Sequence, residues 1–586
     1  MSIIENNSID SYFADFISAK KIKNYIMDDP LIDWLNLYGD KKNIKPDIVN
    51  NDFQNFLMNK GVEFENHVLK KLRTKLGYES VVTINESMTY KDRLQKTVDL
   101  MNNGIPIIHS GFIINEEEKI FGIPDILIRS DYITHITNFV NIKNLDLLKN
   151  GCKFSNDWHY IIIDIKYSNL CFKKNDNTLT NKGLFPCYKS QLIIYNKCLS
   201  KLQDYDPTFA CILGRKWTMG LKKGNNIFDY LGIIDIYGKD KNIYLKTLEA
   251  IKWQNDLKKN GINWNFNNPK IFPNLKNSNS DSRWNNFKNQ LALKNKDITL
   301  LWNCGVNERN FAIKNNITDW NNSECYSNKL NINGKRGRII DNIIKVNREN
   351  NILIHPRKIK NISNIRKLAV KKLEFICDFE TVNDLDDNFK RIPYSNFDNC
   401  IFMIGLITNI YDSENKIISS EFNCFIVNKF DRKEEKKIIQ EWLFYMDNLK
   451  DLYNIENPNI YHWSSAEPNF YKSAIIRNKK LFSWKELNFV DVMQIFKEEP
   501  ITIKGCFNFG LKDVSKSLYK LGFINTTWKD DMDGRIAMLE AVEGMKKAKK
   551  ERKNFKETEI VKNIKEYNYV DVQVINEILF FLRNKI

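Results

Sequence analysis

Two apolar segments of this 586-residue chain each carry a pair of polar side chains two positions apart. Segment 160–166 reads YIIIDIK, and segment 375–380 reads FICDFE. Both compositions predict strands, in which side chains two positions apart point to the same face. Asp164 and Lys166 would then share one face, as would Asp378 and Glu380. Each strand therefore directs two polar groups at one place.

Carboxylates at the end of a buried strand favour a divalent-metal site. Mg²⁺ and Mn²⁺ prefer hard oxygen ligands, and a buried strand holds such ligands still. A half-buried strand with one solvated face shows the same pattern, so the surrounding sequence has to distinguish the two interpretations.

A third acidic residue precedes the first of these strands. In segment 121–129 (FGIPDILIR), Gly122 and Pro124 predict a turn that leads through Asp125 into a new apolar strand. The acid would then lie at the start of a strand close to Asp164 in chain order.

Two predicted helices flank this pair of strands. Apolar residues four apart predict a helix over 61–72, with Glu65 at the border of its buried face. Downstream, Gln191 and Tyr195 lie one helical turn apart and can reach the same partner.

This order of motifs resembles the RecB-like branch of the PD-(D/E)XK nucleases. The similarity extends from about residue 96 to about residue 215, and the motif reads Pro124-Asp125 and then Asp164-Ile-Lys166. The resemblance implies phosphodiester hydrolysis, in which a metal ion activates water and stabilises charge on the phosphate. It also implies that Asp125 and Asp164 are the main metal ligands and that Glu65 is a further ligand, directly or through water.

The resemblance gives the remaining polar residues supporting roles. Lys166 would orient the attacking water or help to deprotonate it, while Gln191 and Tyr195 would contact the DNA or brace the site. A simpler interpretation of Lys166 is an ion pair with Asp125 that holds neighbouring strands together. Convergence of the three acids and the lysine on one ion-sized space would distinguish these interpretations.

The second carboxylate strand opens a separate region. Three predicted strands suggest a meander, over 373–381, 399–408 and 421–427. A helix, a strand and a second helix follow, over 436–449, over 460–463 and from about residue 466. That order resembles a ribonuclease H-like domain of the DEDD exonuclease type.

By this second resemblance, Asp378, Glu380, Glu467 and Asp571 would form the metal site. Tyr567, four positions before Asp571 on a predicted helix, would help to place the water. Glu467 stands where the family usually has Asp, and its extra methylene displaces the carboxylate. This departure leaves two interpretations open, an active exonuclease domain and a degenerate domain that only binds nucleic acid.

Three other residues near these motifs are given structural interpretations. Asp491 is a further acid near the second site in chain order, but its family counterpart precedes a structural helix. His67 follows Glu65 at a spacing that points away from it, so a core or surface role is favoured over a ligand role, and His462 is interpreted in the same way.

Between the two regions, segments 300–312 and 333–338 look like a helix-hairpin-helix element. Such a hairpin presents backbone N–H groups to a phosphate, and Lys335, Arg336 and Arg338 would add charge without reading bases. A glycine-capped surface turn with solvated basic residues explains the same segments.

We therefore expect an α/β chain of three parts. A restriction-endonuclease-like (PD-(D/E)XK) domain would cover 1–250, a helical connector 251–360 and a ribonuclease H-like mixed-sheet domain 361–586. Residues 263–283 are interpreted as a linker and 357–372 as a basic connector.

The overall charge favours a polyanionic partner. A net charge of +17 and a pI near 9.1 suit DNA, and RNA is not excluded. The densest basic run, 546–553, would follow a strand near the second site, serve as a nuclear-entry address or form a solvated helix face. No phosphate-binding Gly-Xaa4-Gly-Lys-(Ser/Thr) loop is present, so any unwinding would need a separate helicase.

The cysteine and hydropathy patterns indicate which metal sites and which cellular compartment to expect. The eleven cysteines include no Cys-Xaa-Xaa-Cys pair, which argues against a zinc site or an iron–sulfur cluster and favours free thiols in a reducing compartment. The amino terminus does not resemble a secretion signal, and no apolar run is long enough to span a bilayer. We expect a soluble, intracellular protein with no membrane partner.

The resulting hypothesis is a Mg²⁺- or Mn²⁺-dependent deoxyribonuclease, with exonucleolytic attack favoured. The main site would lie in the amino-terminal domain, and the carboxyl-terminal domain would supply a second exonuclease site or handle the DNA. The alternative is a catalytically silent nucleic-acid-binding scaffold in a recombination, repair or defence complex.

Overall fold

The computed structural model describes most of the chain: residues 11–47, 52–137, 148–174, 178–266, 271, 275, 283–383, 400–478, 486–529 and 532–585. These residues form an α/β protein with mixed sheets. They separate into two compact units, one ending at Lys288 and one beginning at Asn289. Residues 251–360, expected as a connector, are thus divided between the two units.

The first unit alternates helices and short strands around two long central strands. Its helices are α1 (Lys23–Ile26), α2 (Pro30–Tyr38), α3 (Asp52–Leu76), α4 (Tyr90–Asn102), α5 (Ile133–Ile136), α6 (Phe185–Gln203) and α7 (Lys241–Asn260), and α8 (Asn285–Lys294) contains the unit boundary. Its strands are β1 (Ile17–Ser18), β2 (Val81–Thr83), β3 (Ile107–His109), β4 (Ile113–Asn115), β5 (Ile120–Gly122), β6 (Ile126–Arg129), β7 (Tyr160–Phe172), β8 (Phe209–Met219), β9 (Lys222–Gly224) and β10 (Gly232–Asp235).

The main sheet of this unit has the order β10-β8-β7-β6-β3-β2, with β9 paired to β8, and a smaller sheet has the order β1-β5-β4. Strands β7 and β8 are parallel, and β6 is antiparallel to β7. Side chains alternate along β7, so Ile163 joins a core that includes Phe64 of α3, whereas Ile162 joins a core that includes Ile193 of α6. Helices α3 and α6 therefore cover opposite faces of β7.

The second unit begins with helices and continues into a second sheet. Its helices are α9 (Val306–Lys314), α10 (Gly334–Arg348), α11 (Ile362–Leu368), α12 (Arg432–Tyr453), α13 (Ala466–Asn478), α14 (Val492–Glu498), α15 (Leu511–Lys520), α16 (Gly534–Glu551) and α17 (Glu559–Arg583). Its strands are β11 (Ile354–His355), β12 (Leu373–Val382), β13 (Cys400–Tyr411), β14 (Ile417–Ile426), β15 (Asn459–His462), β16 (Phe489–Asp491) and β17 (Thr502–Ile503).

The sheet of the second unit has the order β14-β13-β12-β15-β16, and β11 pairs with β17 separately. Strands β12, β13 and β14 form an antiparallel meander, which confirms the prediction, while β15 and β16 run parallel to β12. Ile376 of β12 packs in the same core as Val572 and Ile575 of α17. On the other face, the rings of Phe379 and Trp442 meet edge to face, which places α12 there. The predicted helices over 436–449 and around Tyr567 are confirmed as parts of α12 and α17.

The expected helix-hairpin-helix segments fall at α9 and α10, with residues 315–333 between the two helices. Gly305 immediately precedes α9, and its N–H donates to the Glu308 carboxylate at 2.9 Å. Arg336, one of the expected phosphate contacts, lies 3.1 Å from that same carboxylate. Lys335 and Arg338 remain exposed.

Three further segments were predicted from composition: a linker, a basic connector and a run of basic residues. Residues 267–270, 272–274 and 276–282 of the expected linker lie outside the described residues. The basic connector over 357–372 contains helix α11. The basic run 546–553 lies at the end of α16 with its lysines exposed, as a solvated helix face would.

The eleven cysteines, all within the described part of the chain, are free thiols. No helix among the described residues is both long and apolar enough to cross a membrane.

Candidate metal centres

The strongest candidate metal centre lies in the second unit, where α17 crosses the face of β12. Asp378 and Glu380 alternate with buried apolar residues and so point to the face that α17 covers. Asp571 projects from α17 towards the same place. One carboxylate oxygen from each residue lies within 4.8 Å of the other two. In the described residues, no other set of three or more Asp, Glu, His or Cys side chains meets this distance criterion.

The electrostatics of this cluster are dominated by burial and by repulsion between its carboxylates. Burial raises the pKa of Asp378 and of Glu380 well above their ordinary values, and the neighbouring acids raise both further. Burial also raises the pKa of Asp571, to about 6. Because a bound divalent cation would offset this mutual repulsion, the donor set fits Mg²⁺ or Mn²⁺ in ligand type and spacing.

Asn568 fixes the orientation of Asp378. It is fully buried one position after Tyr567, and its Nδ2 donates to Asp378 Oδ2 at 2.8 Å. Its Oδ1 accepts no hydrogen bond from any described residue. Gly405 of β13 makes room for this amide, because a Cβ at position 405 would come within 1.8 Å of Asn568 Oδ1. Metal ligands are commonly oriented by such partners.

Asp571 is held by two aromatic side chains. Trp528 Nε1 donates to Asp571 Oδ1 at 2.9 Å, and the Tyr567 hydroxyl hydrogen-bonds the same carboxylate. Lys512 of α15 lies beside both rings, with Nζ 5.4 Å from the centroid of Trp528 and 5.4 Å from that of Tyr567. The expected water-placing Tyr567 is thus part of the cluster, and it also orients a ligand.

Glu467, where the resemblance expects Asp, reaches the edge of the cluster. It is 4% exposed at the start of α13, hydrogen-bonds Asp378 and lies 3.2 Å from His462 Nδ1. Burial raises the pKa of Glu467 to about 8 and lowers that of His462 to about 4. Glu467 is not one of the three acids that converge, so its place is beside the ligand set.

Asp491 caps a helix and is not one of the acids that converge in the cluster. Its side chain caps α14 by accepting from the N–H of Gln494, and it also accepts from the N–H of Ser464 at 2.9 Å. These contacts agree with the interpretation of Asp491 as the acid before a structural helix.

The first unit brings its four predicted acidic and basic residues into one network, but it does not bring the three acids within the distance criterion. Asp164 is 1% exposed on β7, and Lys166 Nζ lies 2.5 Å from its Oδ2. Asp164 Oδ1 accepts no hydrogen bond from any described residue. Asp125 Oδ2 accepts from the N–H of Ile165 at 2.6 Å, which places Asp125 beside Asp164. The close ion pair of Lys166 is therefore with Asp164 and not with Asp125.

The electrostatics of this network follow from burial and charge. Burial raises the pKa of Asp125 well above its ordinary value, and the charge of Asp164 raises it further. Burial alone would lower the pKa of Lys166, but the charges of Asp164 and Asp125 outweigh it and leave that pKa raised. Lys166 therefore stays a cation beside Asp164.

Glu65 comes from α3, and its charge helps to raise the pKa of Asp125. Its helix, α3, packs on the face of β7 that carries Ile163, whereas Asp164 points to the face that α6 covers. Glu65 Oε1 lies 2.7 Å from His109 Nε2, and His109 Nδ1 lies 3.2 Å from Thr83 Oγ1. His109 is thus the partner of the proposed third ligand.

Gln191 and Tyr195 form a chain of hydrogen bonds that begins at Lys166 and supports its side chain. Lys166 Nζ donates to Gln191 Oε1 at 3.2 Å, and Gln191 Nε2 donates to Tyr195 Oη at 2.6 Å. The Tyr195 ring packs against Gly122 in space that any larger residue would fill. A Cβ at position 122 would lie 2.1 Å from Tyr195 Cδ1. Gly122 itself ends strand β5 and does not form the predicted turn.

Sequence reasoning missed several residues of these centres: His109, Lys512, Trp528 and Asn568. Only Asn568 carried a local signal, since it lies one helical turn before Asp571. The other three come from segments with no acidic motif, and only the fold brings them to the site.

Comparison with known proteins adds no family assignment. The chain matches no protein-family model, and a search of curated proteins found no similar sequence.

Proposed function

We propose that this chain is a nuclease that hydrolyses DNA phosphodiester bonds with the aid of Mg²⁺ or Mn²⁺. The observation that carries the proposal is the convergence of Asp378, Glu380 and Asp571 on one ion-sized space. Two buried carboxylates and one half-buried carboxylate held this close are destabilising without a cation. A fold that retains them is best explained by a site that binds one.

The finer fold assignment belongs to the same proposal. In the second unit, an antiparallel meander is followed by two parallel strands, and the acids lie on the first strand and the last helix. This arrangement supports a ribonuclease H-like domain of the DEDD exonuclease type. In the first unit, Asp125 and Asp164 on adjacent strands, with Lys166, support a RecB-like PD-(D/E)XK domain.

In the second unit, a bound metal ion would activate water and stabilise the charge that develops on the phosphate. Asp378, Glu380 and Asp571 would hold that ion. Tyr567 would position the water while its hydroxyl remains protonated, because burial raises its pKa and the charge of Asp571 raises it further. Glu467 would hold Asp378 in place through their hydrogen bond.

In the first unit, Asp125 and Asp164 would hold a metal ion, and Glu65 would be a further ligand, directly or through a water. Lys166 is positioned by Gln191 and Asp164 to orient the attacking water. The unsatisfied Asp164 Oδ1 supports a ligand role, since a buried carboxylate oxygen without a partner costs about 1–3 kcal/mol or more.

The experiment is degradation of end-labelled single-stranded DNA, double-stranded DNA and RNA by the full chain in Mg²⁺ or Mn²⁺. Asp164→Asn and Lys166→Met test the first centre, and Asp378→Asn tests the second. Asp99→Asn and Asp451→Asn are matched controls, because these acids are exposed on α4 and α12.

Loss of cleavage in the first two variants alone would assign hydrolysis to the first unit, and loss in Asp378→Asn alone would assign it to the second. Cleavage by all three variants at the wild-type rate would overturn both centres. Nucleic-acid binding without any cleavage by the wild-type chain would establish the scaffold alternative.

A further inference from the structure

The side chain of Lys512 lies beside the second centre and has no role in the proposed hydrolysis. Lys512, in the first turn of α15, is partly buried between the rings of Trp528 and Tyr567. Both rings belong to residues that hydrogen-bond Asp571. The ammonium group therefore lies just outside the carboxylate cluster, on the side of Asp571.

The setting of Lys512 holds its ammonium in place. Its Nζ donates to the carbonyl of Met532, and its charge is attracted to the faces of the two aromatic rings. An ammonium has three N–H donors, and no other acceptor for Lys512 is found in the described residues. A fixed cation with spare donors beside a metal centre is suited to an anionic ligand.

The carboxylate of Asp571 does not form an ion pair with the Lys512 ammonium within 4.0 Å among the described residues. The charge of Lys512 nevertheless lowers the pKa of that carboxyl against the effect of burial. Asp571 takes its hydrogen bonds from Trp528 and Tyr567 instead. The aromatic pair thus separates the cation from the acid and leaves the ammonium available to a ligand.

We propose that Lys512 binds the phosphate of the terminal nucleotide at the second centre, with Trp528 and Tyr567 positioning both the lysine and Asp571. This inference rests on the proposed function, since the metal ion would bring the same phosphate to Asp378 and Glu380. The ligand class is a nucleotide phosphate, held jointly by the metal ion and the lysine.

The test is calorimetric titration of the Mn²⁺-loaded full chain with a deoxynucleoside 5′-monophosphate. Lys512→Met removes the charge and keeps an apolar stem, Lys512→Arg keeps a cation, and Lys516→Met is the control on the exposed side of α15. We expect Lys512→Met to bind the nucleotide about ten- to a hundredfold more weakly, because a charge-assisted hydrogen bond is lost. Lys512→Arg should retain most of the affinity, and Lys516→Met should bind like wild type.

Titration with Mn²⁺ alone separates the inference from the proposed function. A phosphate-binding role requires Lys512→Met to bind Mn²⁺ as well as wild type while it loses the nucleotide. Weaker Mn²⁺ binding and weaker nucleotide binding by the same factor would overturn the inference in favour of a structural role. Unchanged nucleotide affinity in a Mn²⁺-loaded Lys512→Met protein would also overturn it.

Failure of the proposed function has a different signature. If Asp378→Asn binds Mn²⁺ as wild type does, the second centre is not a metal site and the inference falls with it. A thermal melt of each variant checks folding, and Lys512→Arg keeps the inference testable if Lys512→Met does not fold.

Discussion

Gly405 lies directly opposite Asp378 in the register of β12 and β13. The space left by its missing side chain is taken by the amide of Asn568, which donates to Asp378 Oδ2. A glycine in the middle of a buried strand weakens that strand, so its presence here needs a reason. The close approach of Asn568 to the backbone supplies one.

We expect Gly405→Ala to displace Asn568 and to weaken Mn²⁺ binding at the second centre about tenfold or more. The added methyl group overpacks the site, so the free energy of unfolding should fall by about 1–3 kcal/mol. Calorimetry with Mn²⁺ and a denaturant titration measure the two effects.

Asn568→Ala separates these two effects, since it removes the amide without adding a methyl group at position 405. It should weaken metal binding to a similar degree. Gly534→Ala is the control, because a Cβ there meets no atom within 4 Å. Wild-type metal affinity in Gly405→Ala would show that Asn568 does not orient Asp378.

His109 should matter for the first centre because it holds Glu65 at 2.7 Å. In an Asp378→Asn background, which isolates the first unit, we expect His109→Ala to lower the rate of DNA cleavage about ten- to a hundredfold. His109→Gln, which keeps a polar side chain of similar reach, should restore part of the rate. Initial rates on end-labelled DNA measure the effect.

His135→Ala is the matched control, since His135 is exposed on α5 in the same unit. Equal cleavage rates for His109→Ala and His135→Ala would remove Glu65 from the metal centre. They would leave Asp125 and Asp164 as its acids.

The alternation of apolar and polar residues was enough to place the main strands and to put Asp378 and Glu380 on one face. It also placed Gln191 and Tyr195 one helical turn apart, and the structure joins them by a hydrogen bond. Local patterns of this kind succeed because the periods of strands and helices fix side-chain direction over a few residues.

Contacts between distant segments could not be predicted in this way. Trp528 and Asp571 are 43 residues apart, and no period links them. Glu65 was expected as a further ligand, directly or through water, but the face of the sheet that α3 covers is decided only by the packing of the helices. The role of Gly122 was missed for the same reason, since its neighbour Tyr195 belongs to a later helix.

Neutralising one acid of the second centre should stabilise the metal-free protein. The pKa of Asp378 is raised in the folded state, so the native protein binds that proton more tightly than the unfolded chain does. Stability therefore falls as the pH rises from about 4 through the raised pKa. In EDTA at about pH 8, Asp378→Asn should melt higher than wild type, by about 2–4 °C for each kcal/mol gained.

At about pH 4, where the folded carboxyl is protonated and the unfolded one is only about half ionised, this difference should be small. Addition of Mn²⁺ should reverse the order at about pH 8, because only wild type gains the full binding energy. Asp451→Asn serves as the control for an exposed acid. An equal melting temperature for Asp378→Asn and wild type in EDTA at about pH 8 would contradict the repulsion within the cluster.

Metal binding at the second centre should release protons. The pKa of Asp571 is raised to about 6 and that of Glu467 to about 8, in both cases chiefly by burial, so the metal-free site retains protons near neutral pH. A cation competes with these protons, and its apparent affinity should therefore rise as the pH increases from about 6 to about 8. Calorimetric titration with Mn²⁺ in two buffers of different ionisation enthalpy gives the number of protons released. Asp378→Asn should lower the number of protons released, whereas a release that is the same in the variant and in wild type would place the bound metal elsewhere in the protein.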